Sequence, residues 1–459
     1  MPTSIPTLSG ESGLAVLRRM LRERSILAGL AAMHAHLGRI FQITLPNFRP
    51  VFLTGPETNR HILVTHRHDF LWRTESDPVT HLLRHGLLVE DAESHDALRR
   101  QIDPPLQRGH VQTQIETFWH RTGDLLTPWQ DGETRDMLVE MRKIALVLLM
   151  DALFGVDILP DLDRLWNPIL RAIAYISPGP WIILPHLPRP GYASALRTLD
   201  EYLYGLIRTR RASLPSPAAL GGRGAGGEGD LLTHLVSDPT LTDDLIRDQF
   251  LTLLIAGHDT STAQLSWALY LLGRHPDALA HATSEARTLP ADRPPTPDDL
   301  RKLEYLDMVL KETLRLYPPI HVGNRRAAHD MEIAGCPVEK DTRVMMSIYL
   351  SHRDPAHWPD PDEFRPERFA REGGDNVPPF TYIPFGGGPR NCVGAAFSQI
   401  EGKVVLLRLL QSFDLELSPR PVHAHMGATL EPRPGVKMRV NRTLRLRGAS
   451  AQGASDVKN

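Results

Sequence analysis

One stretch constrains this chain more than any other, Tyr382 to Ala396, with the sequence Y-I-P-F-G-G-G-P-R-N-C-V-G-A-A. It places Cys392 among glycines and prolines, just before apolar residues at helical spacing from Phe397 to Leu410. The pattern predicts a tight loop entering a helix, where free backbone N–H groups and the helix dipole would lower the pKa of the thiol. Such a thiolate can be a nucleophile, a redox thiol or a metal ligand. The alternative is an inert structural cysteine in a glycine-rich turn.

The composition is that of a globular protein with a large core. The 459 residues are 41% hydrophobic and 23% charged, and the formal net charge of −2 gives no electrostatic case for nucleic-acid binding. The only cysteines are Cys336, expected to be an inert turn residue, and Cys392, so we expect no disulfide framework and a reducing compartment. The N-terminus lacks a signal-peptide pattern, and the apolar run from Ile26 to Met33 is too short to span a bilayer. We therefore expect a cytoplasmic protein without a transmembrane anchor.

The residues around Cys392 fit the pattern F-x-x-G-x-R-x-C-x-G without departure. This pattern resembles the cysteine-ligand loop of the cytochrome P450 family, in which the thiolate is the axial ligand of haem iron. The resemblance implies heme b (iron protoporphyrin IX) as the cofactor and Cys392 as its metal ligand. It also implies that Phe385 packs beside the sulfur and that Arg390 pairs with a haem propionate. Gly386, Gly388 and Gly394 would let the backbone come close to the cofactor.

Two upstream segments offer further partners for the propionates. His95 and Arg99 are four residues apart, so on a helix they share a face. Donor and cationic groups on one face suit a pair of carboxylates, although a solvated helix face is the alternative. By its position before Gly335, Arg325 resembles a further propionate ligand of the family.

A long helix is predicted from the capping residues at Thr242 to about Arg274. Within it, Ala256, Gly257, Asp259 and Thr260 fit the A-G-x-D/E-T motif of the family, which serves oxygen activation. Gly257 would remove side-chain bulk where dioxygen binds, and Thr260 would bond the carbonyl of Ala256 and loosen the helix. Asp259 would resupply protons. The alternative is an ordinary buried helix.

A structural network is expected to support the cysteine loop. Glu312 and Arg315 match the E-x-x-R motif of the family and can pair on a helix. The resemblance implies that this pair is buried and held by Arg368 of the P-E-R-F segment. A buried pair is costly to break, so its expected role is structural.

The expected substrate pocket is apolar, which favours a lipophilic substrate such as a fatty acid, terpenoid or carotenoid. Trp181 and Ile182 belong to a proline-broken loop that is either a lid over the pocket or tucked onto the core. If that loop is exposed, it would suit peripheral contact with a membrane surface. The residues expected to line the pocket are Leu87, Leu88, Trp181, Ile182, Ile320, Val322, Met426 and Leu430.

The resemblance implies a mainly α fold with small β-sheets, in a single haem-centred domain over residues 1–459. Residues 13–38 are predicted to form one helix, 1–12 and 446–459 flexible tails, and 213–229 a mobile internal loop. The implied activity is monooxygenation with O2 as co-substrate. Because no flavin or iron–sulfur sequence follows Val440, NAD(P)H electrons are expected through a separate ferredoxin- or flavodoxin-type partner. Its expected docking face holds Arg99, Arg100, Arg390, Lys403 and Arg408.

Two other classes of function stay open from the sequence. A peroxygenase or a haem-thiolate isomerase would share the cysteine loop, but would usually depart from the Asp259–Thr260 pair. A non-enzymatic haem carrier or gas sensor would need neither of those residues.

Overall fold

A computed structural model of the protein describes residues 4–23, 25–179, 187, 189–214 and 230–443. Helices dominate these ranges, as the sequence predicts. The α-helices are α1 (Gly10–Glu23), α2 (Ile26–Leu37), α3 (Pro56–Arg60), α4 (Pro78–Leu83), α5 (Ala92–Ile102), α6 (Arg108–Thr113), α7 (Ile115–Leu126), α8 (Met137–Phe154), α9 (Leu162–Ile176), α10 (Tyr192–Ser213), α11 (Leu231–Ser237), α12 (Asp243–Arg274), α13 (Pro276–Ala286), α14 (Pro297–Lys302), α15 (Glu304–Leu316), α16 (Ile348–Ser351) and α17 (Ala395–Ser412).

The strands form small sheets, and the largest has the order β1-β2-β8-β5-β3. In it β2 and β8 run parallel, while the other neighbours are antiparallel. A three-stranded sheet has the order β4-β12-β9, and β6-β7 and β10-β11 are hairpins. The strands are β1 (Ile40–Gln42), β2 (Val51–Leu53), β3 (Phe70–Leu71), β4 (Thr134–Asp136), β5 (Val322–Ala327), β6 (Met331–Ile333), β7 (Cys336–Val338), β8 (Arg343–Ser347), β9 (Phe413–Leu417), β10 (His423–Met426), β11 (Leu430–Arg433) and β12 (Lys437–Arg442).

Helix α12 is the central element of the fold. Thr242 caps it by accepting a hydrogen bond from the Leu245 N–H at 3.2 Å, as the capping signal predicts. Most of its residues, polar as well as apolar, are buried, and it packs against α8, α17 and β11 among others. The mainly α fold with small sheets is confirmed.

The N-terminal region differs from its prediction in two respects. The helix expected over 13–38 is two helices, because Ser25 caps a new one by accepting from the Ala28 N–H at 3.3 Å. Thr7 forms a β-bridge with Gln42 and α1 begins at Gly10, so residues 4–12 are not a free tail. Cys336 is also not in a turn: it is buried at the start of β7.

The described helices include none that is both long and apolar enough to cross a membrane. Trp181 and Ile182 lie outside the described residues. So do 215–229 of the loop predicted at 213–229, and all of 446–459.

Candidate functional site

The cysteine loop, Phe385 to Gly394, leads into α17 as the glycine pattern predicts. Its ends are joined by the Cys392 N–H, which donates to the Phe385 carbonyl at 2.8 Å. Gly388 has φ +66°, and a Cβ there would lie 2.3 Å from the Leu63 carbonyl oxygen. Only glycine fits this position, because the loop is pressed against the π-helical turn His61–Thr65.

The prediction of a lowered thiol pKa is wrong. The Cys392 side chain is exposed, but the protein atoms packed around its sulfur desolvate the thiolate and raise the pKa of the thiol. A hydrogen bond from the Gly394 backbone lowers the pKa only in part. Desolvation therefore outweighs the helix terminus, and a stable thiolate needs a positive charge at the sulfur, such as a metal ion.

The donor set around Cys392 fits a metal that brings its own ligands. Both cysteines are free, and no group of three or more His, Cys, Asp or Glu within the described ranges could hold a metal ion. An iron bound by Cys392 would therefore take most of its ligands from a cofactor. Haem is such a cofactor, with one axial position for a thiolate.

Two arginines form a cationic cradle that fits the carboxylates of haem. Arg325 is buried in β5 and stacks on Trp72, with its guanidinium carbon 3.2 Å from the ring centroid. Arg390 lies over the same ring at 4.5 Å and donates to Asp91 at 2.9 Å. Burial lowers the pKa of both guanidinium groups, Arg390 lowers that of Arg325 further, and Arg99 lowers that of Arg390. Such an arrangement favours an added anion, and a pair of propionates meets that need.

Helix α5 brings His95 and Arg99 to the cysteine loop. Arg99 donates to the carbonyl and the side-chain oxygen of Asn391, at 2.7 and 3.1 Å, so it holds the residue that precedes Cys392. His95 is buried and its Nδ1 lies 2.9 Å from Asp96, and burial lowers its pKa although Asp96 opposes this in part. His95 and Arg99, the two residues predicted from their spacing, therefore lie near the cysteine loop. The guanidinium group of Arg99, however, donates its hydrogen bonds to Asn391 of the loop.

The motif in α12 is where this mostly buried helix becomes accessible. Ala256 is exposed although the residues before it are buried, and Thr260 is half-buried one turn later. The Thr260 hydroxyl donates to the Ala256 carbonyl at 2.6 Å, which is the hydrogen bond that the sequence predicts. Gly257 also lies against α8, because a Cβ there would lie 3.0 Å from the Leu149 side chain. Its small size lets two helices approach closely.

Asp259 is buried in an ionic network and is not a free acid. Its Oδ1 accepts from Arg142 at 2.8 Å, and its Oδ2 accepts from the Thr429 hydroxyl at 2.7 Å. Arg142 also donates to Glu431, which pairs with the half-exposed Arg433 at 2.7 Å. This chain of charges runs from the oxygen-activation motif to the surface. The structure therefore shows Asp259 as an ion-paired carboxylate and not as the free acid that the motif led us to expect.

The E-x-x-R network is buried as the resemblance implies. Glu312 and Arg315 form a bidentate pair at 2.6 and 2.7 Å, both with no exposed side-chain surface. Arg368 Nε lies 3.3 Å from Glu312. The backbone carbonyl of His352 accepts a hydrogen bond from Arg315 at 2.9 Å. The imidazole ring of His352 accepts one from the Ile383 N–H, also at 2.9 Å. His352, which the sequence did not single out, thus links the network to the segment that precedes the cysteine loop.

The residues predicted for the pocket fall into three groups. Leu88 and Ile320 are exposed, at 38% and 41%. Val322 and Met426 are partly buried. Leu87 is buried in the main core, and Leu430 is wholly buried against a second cluster, so Leu430 does not line an open cavity.

The basic docking face must also be corrected. Arg100 is exposed, whereas Arg99 and Arg390 are bound to the loop and to Asp91. Lys403 pairs with Asp307 at 2.8 Å, and Arg408 stacks on Trp119 and donates to the Ala291 carbonyl. Among these five residues, Arg100 alone is exposed. Within the part of the chain described, its hydrogen bond goes to the Asp96 carbonyl of its own helix and not to a carboxylate or to the cysteine loop.

A buried carboxyl group was missed from the sequence. Glu401 of α17 is 1% exposed, and its Oε2 lies 2.6 Å from the hydroxyl of Ser261, the residue after Thr260. Its Oε1 has no hydrogen-bond partner among the residues described. Burial raises the pKa of Glu401 to about 8, and the Ser261 bond opposes this only in part. The sequence did contain a signal for this group. Glu401 follows Cys392 by nine residues, which places a charged residue on the buried face of the apolar helix.

Comparisons with known proteins agree with this geometry. Residues 13–437 match the cytochrome P450 family. Cytochrome P450 139 of Mycobacterium tuberculosis is 28% identical over 430 residues, which cover 90% of this chain and 97% of that protein. The chloroplastic protein LUTEIN DEFICIENT 5 of Arabidopsis thaliana is 28% identical over 446 residues, or 92% of this chain and 75% of that protein.

A solved structure is also similar, that of the cyanobacterial CYP120A1 with retinoic acid bound. It has a TM-score of 0.79 and 25% sequence identity, and the match covers 93% of this chain and 96% of the other. The family match spans nearly the whole chain, and the cysteine loop, the α12 motif and the buried E-x-x-R network all lie within it. The protein belongs to the cytochrome P450 family and is a monooxygenase.

Proposed function

We propose that the protein inserts one oxygen atom of O2 into an extended lipophilic substrate of the isoprenoid type, such as a retinoid, carotenoid or other terpenoid. The observation that carries the proposal is the opening at Ala256 and Thr260 in the otherwise buried α12, in a chain whose accessible Cys392 belongs to a haem-ligand motif. Fatty acids are the second substrate class that an apolar pocket admits.

Heme b is the proposed cofactor, with Cys392 as the ligand of its iron. Arg325 and Arg390 would pair with its carboxylates, since the buried Arg325 and the half-buried Arg390 both lie against the ring of Trp72. His95 is the proposed further donor. Arg99 acts through Asn391 and holds the loop in place. When bound, haem supplies the electron-transfer and oxygen-activating chemistry of the family.

Thr260 is the proposed residue that orients the proton donor. Its hydroxyl hydrogen is directed to the Ala256 carbonyl, so the lone pairs of Oγ1 are free to accept from a water molecule. A water held there would deliver protons at the opening of α12. Asp259 is the proposed proton source, and its ion pair with Arg142, which Glu431 also binds, would hold its carboxylate in place beside Thr260.

The substrate class is supported by the pocket and by two relatives. The exposed Leu88 and Ile320 and the half-buried Val322 and Met426 are apolar. One structural relative was solved with retinoic acid, and one sequence relative is named for a deficiency in lutein. Both of those molecules are long isoprenoids, and we extend that chemistry to this chain.

Electrons are proposed to come from NAD(P)H through a separate ferredoxin- or flavodoxin-type protein. Arg100 is the basic residue of the expected face that stays exposed. Arg100→Gln should lower turnover with the partner protein and leave peroxide-driven turnover unchanged. Equal loss of both rates would contradict this docking site. The cytoplasmic location stays a prediction.

The first experiment is the absorption spectrum of the reduced protein with carbon monoxide. A Soret band that is shifted to longer wavelength, and that is lost in Cys392→Ser, would identify the thiolate ligand. The same protein is then titrated with retinoic acid, a carotenoid and palmitic acid, and a low- to high-spin shift marks displacement of iron-bound water. Saturation by palmitic acid alone would overturn the isoprenoid proposal.

Oxygen activation is tested by a matched pair of variants. Thr260→Ala removes the hydroxyl and should raise the peroxide released per electron, whereas Thr260→Ser keeps the hydroxyl and should not. If Thr260→Ala changes nothing, the assignment of the α12 motif is wrong.

A further inference from the structure

Helix α1 exposes a row of leucines that the described part of the chain does not cover. Leu14, Leu17 and Leu21 are 48%, 49% and 70% exposed. They are three and four residues apart, so they lie on one side of the helix, which we call the leucine face. Single exposed leucines are ordinary on a protein surface, but three in register on one helix mark an interaction site.

The other side of α1 is already used for packing. Val16 is buried and Met20 is half-buried, and both lie against Gly29 of α2. A Cβ at Gly29 would fall 2.4 Å from Met20 Cγ, so the two helices are in close contact there. The side of α1 that packs on the core is thus the one with Val16 and Met20. The leucine face is a separate, exposed side of the helix.

Basic residues flank the leucine face. Arg18 and Arg22 are exposed and follow Leu14 at i+4 and i+8, which places them along one edge of the row. Glu23 pairs with Arg19 and Arg22 at 3.1 Å, but these pairs are exposed and weak. Apolar residues on one face with arginines at its edge are the pattern of a helix that lies in the interface of an anionic bilayer.

We propose that α1 binds the surface of an anionic membrane, with the leucine face in the boundary between headgroups and acyl chains and Arg18 and Arg22 on lipid phosphates. The exposed Ile26 at the start of α2 would extend the contact. A second copy of the chain is a less well supported partner for the leucine face. A helix of 14 residues offers too little area for a stable dimer, and two copies would bring like charges together. The inference stands on these contacts and does not depend on the substrate.

The test is sedimentation of the full-length holoenzyme with vesicles of phosphatidylcholine, with and without phosphatidylglycerol. The protein should bind the anionic vesicles, and added salt should weaken binding. The double variant Leu17→Gln with Leu21→Gln should bind about tenfold or more weakly, because it removes two immersed side chains. Arg18→Gln should bind about fivefold more weakly, as expected for one cation near the surface.

Val139→Gln is the matched control, because Val139 is an exposed apolar residue of α8 with 38% exposure. It should bind like the wild type. Each variant must keep the wild-type carbon monoxide spectrum, which shows that its fold is intact. Light scattering on the free protein distinguishes the competing occupant. Absence of binding to anionic vesicles, equal binding by the double leucine variant, or a dimer that only this variant disrupts would each overturn the proposal.

Discussion

Replacing Glu401 by glutamine should change how the stability of the protein depends on pH. In the folded state burial raises the pKa of this carboxyl group to about 8, against an ordinary value of 4.5. The folded protein therefore holds the Glu401 proton more tightly than the unfolded chain does. Because protons favour the folded state, Glu401 lowers stability progressively as pH rises from the unfolded value towards the folded one.

The magnitude follows from the distance between the two pKa values. They lie about 3.5 apart, and each pH unit corresponds to about 1.4 kcal/mol, so the full effect is at most about 5 kcal/mol above pH 8. At pH 7 it is about 3 kcal/mol by the same conversion. The amide of Glu401→Gln has the shape of the protonated acid and can still bond the Ser261 hydroxyl.

Urea unfolding of the wild type and of Glu401→Gln, followed by circular dichroism, measures the difference in the free energy of unfolding. The two proteins should be similar at about pH 5, and the variant should become the more stable one by several kcal/mol between about pH 5 and pH 8.5. Effects of other titrating groups cancel in this difference. Parallel curves over that range would refute the reasoning, because they would mean that Glu401 is not protonated in the folded state.

Asp307→Asn is a control with the opposite sign. Burial raises the pKa of Asp307, but its bonds to Lys311 and Lys403 outweigh this and lower it. Its stabilising contribution is therefore present at neutral pH and is lost as pH falls through its folded pKa. Asp307→Asn should weaken the protein most at neutral pH and least in acid.

Three further predictions concern the supports of the site. Arg315→Met removes the bidentate partner of the buried Glu312, leaves it only Arg368 as a cation, and should cost about 3–5 kcal/mol in the free energy of unfolding, measured by urea titration; a loss below ~1 kcal/mol would contradict a buried pair. Arg99→Gln removes the side chain that holds the cysteine loop and should speed haem transfer to apomyoglobin; an unchanged rate would count against that clamp. Gly388→Ala should abolish haem incorporation, whereas Gly386→Ala, at a similar φ but with no atom within 4 Å, should only weaken the fold by about 1–2 kcal/mol; equal effects would contradict the steric argument.

Features that depend on local sequence could be predicted. The loop before α17, the cap at Thr242 and the hydrogen bond from Thr260 to the Ala256 carbonyl each involve residues close in the chain. Helical spacing likewise placed His95 and Arg99 on one face. These predictions needed only backbone geometry and the chemistry of capping and turn residues.

Features that depend on distant partners could not be predicted. Arg142 is 117 residues from Asp259, and Thr429 is 170 residues from it, so no spacing indicates that they bind its two oxygens. The pKa of Cys392 depends on how much protein surrounds its sulfur, and the sequence showed only the helix that follows. Leu430 is apolar whether it faces substrate or packs in the core, and only the packing distinguishes the two.

The contact between Gly388 and Leu63 limits how far the protein could be shortened. The cysteine loop, the α12 motif, the E-x-x-R pair and the P-E-R-F segment all follow Gly86 in the chain, so a fragment that began there would contain every one of them. It would nevertheless lack the turn His61–Thr65, which forms the support on which the cysteine loop rests. The smallest unit able to present Cys392 correctly therefore includes the N-terminal sheet, and its boundary is set by steric contact and not by motif position.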